Sequence, residues 1–267
     1  MRIIVSISSD IGAALASDWL SSGFEVWGTY RNWSAQCETL RKQGATLEFC
    51  DLNDSNSIKN ALSKFPKDRD WSTLVLAAGD QKPIGLFHEI NYDEWTKSVQ
   101  SNLLGQLHLL HGFMNVKYQG KNKRTVILFA GGGTNNATER YSAYTLSKIA
   151  SIKICELLDF EYEDYKFTCL GPGWVESKIH NSTIEAGLKA GTNFEKTRMM
   201  RARSLMNSMS DVIECCNWVV ESEKSVVGGR NFSVVHDSWR SSRLYFELQN
   251  NSEIYKLRRF GNELKID

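Results

Sequence analysis

Tyr144 and Lys148 stand four residues apart in the stretch RYSAYTLSK (140–148), which reads as one helix. That spacing puts a phenol and an ammonium on one face, a turn apart. A cation beside a phenol lowers its pKa and makes a proton-transfer pair; two side chains that simply face water share the same spacing. Nearer the N-terminus, VSISSDIGAA (5–14) joins an apolar run to a helical pattern. Its small residues Ser6, Ser8, Ser9 and Gly12, with Asp10 and Ile11 among them, let the backbone come close to a ligand. The helix N-terminus that follows suits a pyrophosphate. The same turn also reads as an ordinary strand-to-helix connection with Asp10 as the cap. Arg31 follows the next apolar run, where a dinucleotide fold places its ribose-recognition residue. An Arg there binds a 2′-phosphate and favours NADP(H) over NAD(H), unless it is a solvated surface Arg. Asp51, in the run CDL, either accepts from an adenine amino group or caps a turn. Ala77, Ala78 and Gly79 are small enough to leave room for a flat ring or a ribose.

Such scattered residues need a frame to bring them together. Apolar, β-branched runs at 2–7, 24–31, 46–52, 72–79, 124–133, 165–174 and 230–236 read as strands. Helical patterns fall between them, at 11–23, 34–43, 55–64, 92–114, 142–160 and 208–221. Strands alternating with helices of this length mean βαβ units and a parallel sheet covered on both faces. The expected fold is therefore α/β, a doubly wound, Rossmann-like sheet of seven parallel strands, as a single domain over 1–267. Ligands in such sheets bind beyond the carboxyl ends of the strands. The turn at 8–12, Arg31, Asp51, 77–79, 131–134 and 171–177 all fall at those ends, on one expected rim.

Bulk composition narrows the class. The 267 residues carry a formal charge of +1, with 42% hydrophobic and 24% charged. No global field attracts nucleic acid or an anionic membrane, and no apolar run approaches the ~20 residues of a membrane span. A cytoplasmic protein is expected. The cysteines (37, 50, 155, 169, 215 and 216) form no C-x-x-C pair, so reduced, mostly buried thiols and no metal are expected.

Taken in order, these residues resemble the short-chain dehydrogenase/reductase (SDR) family over nearly the whole chain. The likeness rests on SISSDIG, Asp51 in CDL, AAG at 77–79, Asn102 in SVQSNLLG, Tyr144-x-x-x-Lys148 and GPGWVES at 171–177. It implies that Tyr144 protonates a substrate carbonyl oxygen during hydride delivery, or takes the proton in reverse. It implies that Lys148 holds the nicotinamide ribose and lowers the phenol pKa, and that Asn102 fixes a water linking Lys148 to solvent. Asp51, with Leu52 beside it, would contact adenine. Pro172, Gly173, Val175 and Ser177 would hold the nicotinamide. A small-molecule carbonyl or alcohol would be the substrate, and pairing through 92–114 and 142–160 would give a homodimer or homotetramer.

The chain departs from that pattern in telling places. Val5-Ser6 stands where the family has Thr-Gly, Asp10 replaces a glycine, and Ala77 replaces an Asn. The family serine, about thirteen residues before the Tyr, falls on Gly131 in FAGGGTNN. Losing such a donor can cost ~10²–10³ in rate. Thr134 or Asn135 swinging in, the backbone N–H groups of Gly131 to Gly133, or low activity are the open answers; Thr134 also reads as a loop residue bonded to its own backbone. Residues 178–207 fall where the family carries its substrate lid. They are rich in Lys and Arg, which suits an anionic substrate such as a phosphorylated sugar, or a solvated charged helix. His180 reads as a lid contact or a surface residue. The extension at 237–267, with Trp239, Tyr245, Phe246, Tyr255 and Phe260, is expected to pack, on a neighbouring subunit or elsewhere. Three functions stay open: a carbonyl reductase or alcohol dehydrogenase, a dinucleotide-binding protein without redox turnover, and a sugar epimerase or dehydratase.

Overall fold

The computed structural model describes residues 1–117, 120 and 122–260. Its sheet has seven parallel strands in the order β3-β2-β1-β4-β5-β6-β7. They are β1 (Arg2–Val5), β2 (Val26–Tyr30), β3 (Thr46–Phe49), β4 (Thr73–Leu76), β5 (Arg124–Phe129), β6 (Tyr165–Gly171) and β7 (Arg230–Ser233). Each ladder stops before the apolar run does: β1 at Val5, β4 at Leu76, β5 at Phe129. The remaining residues of those runs leave the sheet as turns, and the turns carry the site.

Side chains alternate across the sheet because strand residues point to opposite faces. Ile4, Val75 and Ile127 join one core with helices α1 (Asp10–Ser21), α2 (Ala35–Lys42) and α9 (Met209–Glu221). Ile3, Val5, Leu74, Leu76, Val126 and Leu128 join the other with α3 (Ser55–Lys64), α5 (Gly105–Met114) and α6 (Ser142–Glu161). Both faces are thus buried, which is why the strands read as unbroken apolar runs.

The expected single helix over 92–114 is interrupted. After α4 (Tyr92–Val99) a π-helical turn spans Gln100–Leu104 before α5 begins. The apolar pattern runs straight through it, so periodicity gave no warning. The 178–207 segment folds as a 3₁₀ turn (Lys178–His180), α7 (Asn181–Ala186), a second 3₁₀ turn (Gly187–Ala190) and α8 (Thr192–Ala202). The short α10 (Lys224–Val227) precedes β7, and α11 (Ser242–Asn250) follows it. In the C-terminal stretch Trp239 and Leu248 are buried in the chain's own core. Tyr255 packs edge-on to Phe232, with ring centroids 5.3 Å apart. Phe246 and Phe260 are exposed, and residues 261–267 lie outside the described residues. Among the described residues no helix is long and apolar enough to cross a membrane.

Candidate active site

Tyr144 and Lys148 sit in the first two turns of α6, beside the end of β5. The close approach there is possible only because residue 131 is glycine. A Cβ on Gly131 would lie 2.8 Å from Tyr144 Cε1, 2.9 Å from its hydroxyl and 3.0 Å from Lys148 Cγ. The phenol therefore fills the space where a serine side chain would begin, and a serine at 131 fits only if Tyr144 moves. Thr134 does not take its place: its hydroxyl is 3.5 Å from the Gly131 carbonyl, bonded within its own loop.

Lys148 is 3% exposed, and its ammonium donates to the Ala78 carbonyl at 3.1 Å, just past the end of β4. It lies 5.6 Å from the centre of the Tyr144 ring. Burial dominates both groups. It pushes the phenol up to about 12 and the ammonium down to about 8. Desolvation is the largest cause of both shifts, so a phenol pKa lowered by Lys148 is not what this arrangement produces.

Asn102, 1% exposed, sits in the π-helical turn. Its amide donates to Asp80 O (2.8 Å) and Ser98 O (3.0 Å), and its carbonyl oxygen accepts from Asp80 N (2.9 Å). The side chain thereby clamps the 78–80 loop. The Asn102 backbone carbonyl accepts from Gln106 Nε2 at 2.6 Å, and Gln106 Oε1 accepts from Ala78 N at 3.2 Å. A cavity of about 10 Å³ lies among Asn102, Gln106, Lys148 and Ser151, room for about one water molecule.

A second, larger cavity of about 310 Å³ runs along the rim. Ser6, Ser8, Arg31, Leu52, Ala78, Gly79 and Asn102 line it, together with Thr29, Asn32, Ser34, Cys50, Asp80 and Lys178. The small and apolar groups suit a flat base and a ribose; the hydroxyls and two cations suit phosphate. The donor set fits an adenine dinucleotide.

Other residues have different work. Ser9, not Asp10, caps α1, accepting from Gly12 N at 3.1 Å; Ser already satisfies the free N–H that Asp10 was read to take. A side chain at Gly12 would meet Ser6 O at 2.6 Å. Ser6 keeps φ +62°, the left-handed conformation that its glycine counterpart adopts without strain. Ile11 packs on the core. Asp51 accepts from Asn53 N at 2.9 Å, capping its turn rather than lining the cavity. Ala77 N pairs with Val5 O at 3.1 Å. Past β6, Pro172 and Gly173 (φ +76°) turn the chain, Val175 is buried, and Ser177 precedes the 3₁₀ turn at Lys178.

The 178–207 segment is tied down over Tyr144. Tyr141 and Thr183 share a hydroxyl–hydroxyl bond of 2.7 Å, Glu139 accepts from Thr192 N at 2.8 Å, and Lys82 pairs with Glu185 at 2.8 Å. Ile84, Tyr141 and Ala190 form a small core on which Tyr144, Ala186 and Phe194 pack. Its basic residues are largely engaged elsewhere: Arg198 with Glu195 (2.8 Å), Arg201 with Asn181 (2.7 Å), Lys196 over the Trp174 ring (5.4 Å). His180 is no surface residue. It is buried, stacked on Trp174 at 5.0 Å, with Nε2 3.1 Å from Val175 O, and burial lowers its pKa. Among the described residues no cluster of three His, Cys, Asp or Glu could hold a metal, and the six cysteines are buried and unpaired.

A family model described as short chain dehydrogenase matches residues 2–187. A sorbose reductase of Candida albicans is 23% identical over 186 residues, a match spanning 66% of this chain and 66% of the relative, just under two thirds of its length. Among solved structures, an actinorhodin polyketide ketoreductase with NADPH superposes with a TM-score of 0.75 at 18% identity, covering 87% of this chain and 95% of the other. A short chain dehydrogenase/reductase of Saccharomyces cerevisiae gives 0.73 at 18% identity, covering 90% and 98%. At these identities the structural likeness speaks for the fold.

Proposed function

The chain belongs to the short-chain dehydrogenase family, and from that premise we propose that it is an NADP(H)-dependent carbonyl reductase or alcohol dehydrogenase in which Tyr144 moves the proton. The observation that carries this reading is the convergence at Gly131. The phenol and the lysine stem both reach the space that a Cβ on residue 131 would fill, and the same lysine bonds the wall of the rim cavity. The bound nicotinamide would supply the hydride. Ser6, Ser8, Arg31, Leu52, Ala78 and Gly79 would hold the adenosine end, with Arg31 favouring the 2′-phosphate. Lys148 and Asn102 would orient the other end. The reductase names among the relatives fit this class of reaction.

With its pKa pushed up to about 12 by burial, the Tyr144 phenol is protonated at neutral pH but holds that proton more tightly than a free tyrosine, so donation depends on the negative charge that hydride delivery would build on the carbonyl oxygen. Backbone N–H groups of the glycine run 131–133 would replace the missing serine as donors. The 178–207 segment excludes water from that step by its packing on Tyr144. Assembly into a dimer or tetramer would follow the same reading, through the helices of 92–114 and 142–160.

One observation favours a second reading, a dinucleotide-binding protein without turnover: no hydroxyl stands at 131, and Thr134 is bonded within its loop. Titration of NADPH by fluorescence, followed by its oxidation with a panel of ketoses and apolar ketones, separates the two. Turnover with Tyr144→Phe reduced by ~10²–10⁴ and NADPH affinity unchanged supports the reductase. Full turnover in that variant, or binding without turnover in the parent, refutes it.

A further inference from the structure

The rim cavity holds a second cation besides Arg31. Lys178, one residue beyond Ser177, lines it together with Arg31, Asn32 and Ser34. Although its side chain is exposed, it is held from several directions. Its backbone N–H donates to Asp10 Oδ2 at 2.6 Å, and its ammonium lies 3.5 Å from Asp10 Oδ1. The ammonium also donates to Gln36 Oε1 at 2.9 Å, and Gln36 Nε2 lies 3.4 Å from Asp10 Oδ1. The three side chains close a ring. It joins the first turn of α1, the first turn of α2 and the loop leaving β6.

We propose that Lys178 is a phosphate ligand of the bound dinucleotide, its ammonium held by Gln36 and its backbone N–H bonded at residue 10, with the charge of the Asp10 carboxylate competing for the ammonium. The proposal rests on the dinucleotide reading of the cavity. Lys178 and Arg31 line one cavity, so an anion bound there meets the field of both cations. Asp10 is the carboxylate of the ring. It repels the same anion and is neutralised only while Lys178 stays beside it.

A purely mechanical tie makes a different prediction. If the ring only fastens the loop to α1, then breaking it from either end acts in the same direction. If Lys178 binds phosphate, removing its charge weakens the dinucleotide while removing the charge of Asp10 strengthens it. The opposite signs distinguish the two roles.

The test is fluorescence titration of NADPH and NADH on the full chain and its variants, with melting temperatures taken in the absence of dinucleotide. Lys178→Gln is expected to weaken binding about tenfold or more, Lys178→Arg to keep it within a few-fold, and Asp10→Asn to tighten it several-fold. The salt dependence of binding becomes shallower in Lys178→Gln. Loss for both dinucleotides assigns the contact to the pyrophosphate; loss for NADPH alone assigns it to the 2′-phosphate; either supports the proposal. Unchanged affinity in Lys178→Gln, or weakening by Asp10→Asn as well, overturns it and leaves the dinucleotide reading standing. A parent chain that binds neither dinucleotide overturns both. If Lys178→Gln melts early, the sign of the Asp10→Asn effect decides alone.

Discussion

Lys148 is a buried ammonium with the Ala78 carbonyl as its hydrogen-bond acceptor. Its pKa of about 8 lies below the ordinary 10.5 because burial disfavours the charge. Between those values the unfolded chain holds a proton that the folded chain has released, so this group's contribution to stability rises with pH across that window. Below pH about 8 the full cost of burying the charge is present. Lys148→Met should therefore unfold later than the parent at pH 7, by about 1–3 kcal/mol, and the gap should narrow by pH 10. Turnover should be lost. Denaturant midpoints at the two pH values check the first, and NADPH oxidation the second. Gln106 Nε2, 3.4 Å from Ala78 O, remains near the abandoned acceptor. Other residues gave less away in the sequence. The pairing of Tyr144 with Lys148 was legible from spacing, but the sign of their pKa shifts was not, because desolvation depends on what packs around them. Nor could the sequence reveal that the phenol occupies the space left by Gly131.

At the level of elements, the π-helical turn Gln100–Leu104 explains how one Asn can hold a loop that is 22 residues away. From this wider turn the Asn102 side chain reaches both backbone groups of Asp80. Asn102→Ala is expected to cost about 2–3 kcal/mol, because it strands the Asp80 and Ser98 backbone groups and leaves a void. Amide exchange should quicken at residues 98–106 and at Asp80, while the far edge of the sheet stays protected; hydrogen-exchange mass spectrometry reads this directly. Strands and most helices were legible because burial on both faces leaves unbroken apolar runs. The helices of 178–207 were not. Their residues are polar and mixed, and what fixes them is contact with 82–84 and 139–141, far off in the chain. The ring at Asp10 was invisible for the same reason: its partners are 168 residues apart.

Across the whole molecule, the rim was the most legible feature, since parallel topology alone sends six separated turns to one side of the sheet. In the proposed assembly the outer face of α6 would meet a second copy. Leu146, Leu157 and Phe160 are exposed there, with Phe160 90% accessible, and Leu104 lies exposed on the neighbouring helical stretch. Their spacing of about three turns and one turn keeps the three on one stripe. Phe160→Glu is expected to convert a dimer or tetramer to monomer with unchanged circular dichroism, as read by light scattering. A parent chain that is itself monomeric would show this face to be unpaired.

The strand order has a consequence for how the chain is made. Synthesis delivers β1, β2 and β3 first, and these form one side of the sheet in sequence, with α1, α2 and α3 available to cover them. A nascent chain can thus assemble that half on the ribosome, but the free edge of β1 waits for β4. Until it arrives, an apolar strand stands unpaired in the middle of the future sheet, open to a neighbouring chain or to a chaperone.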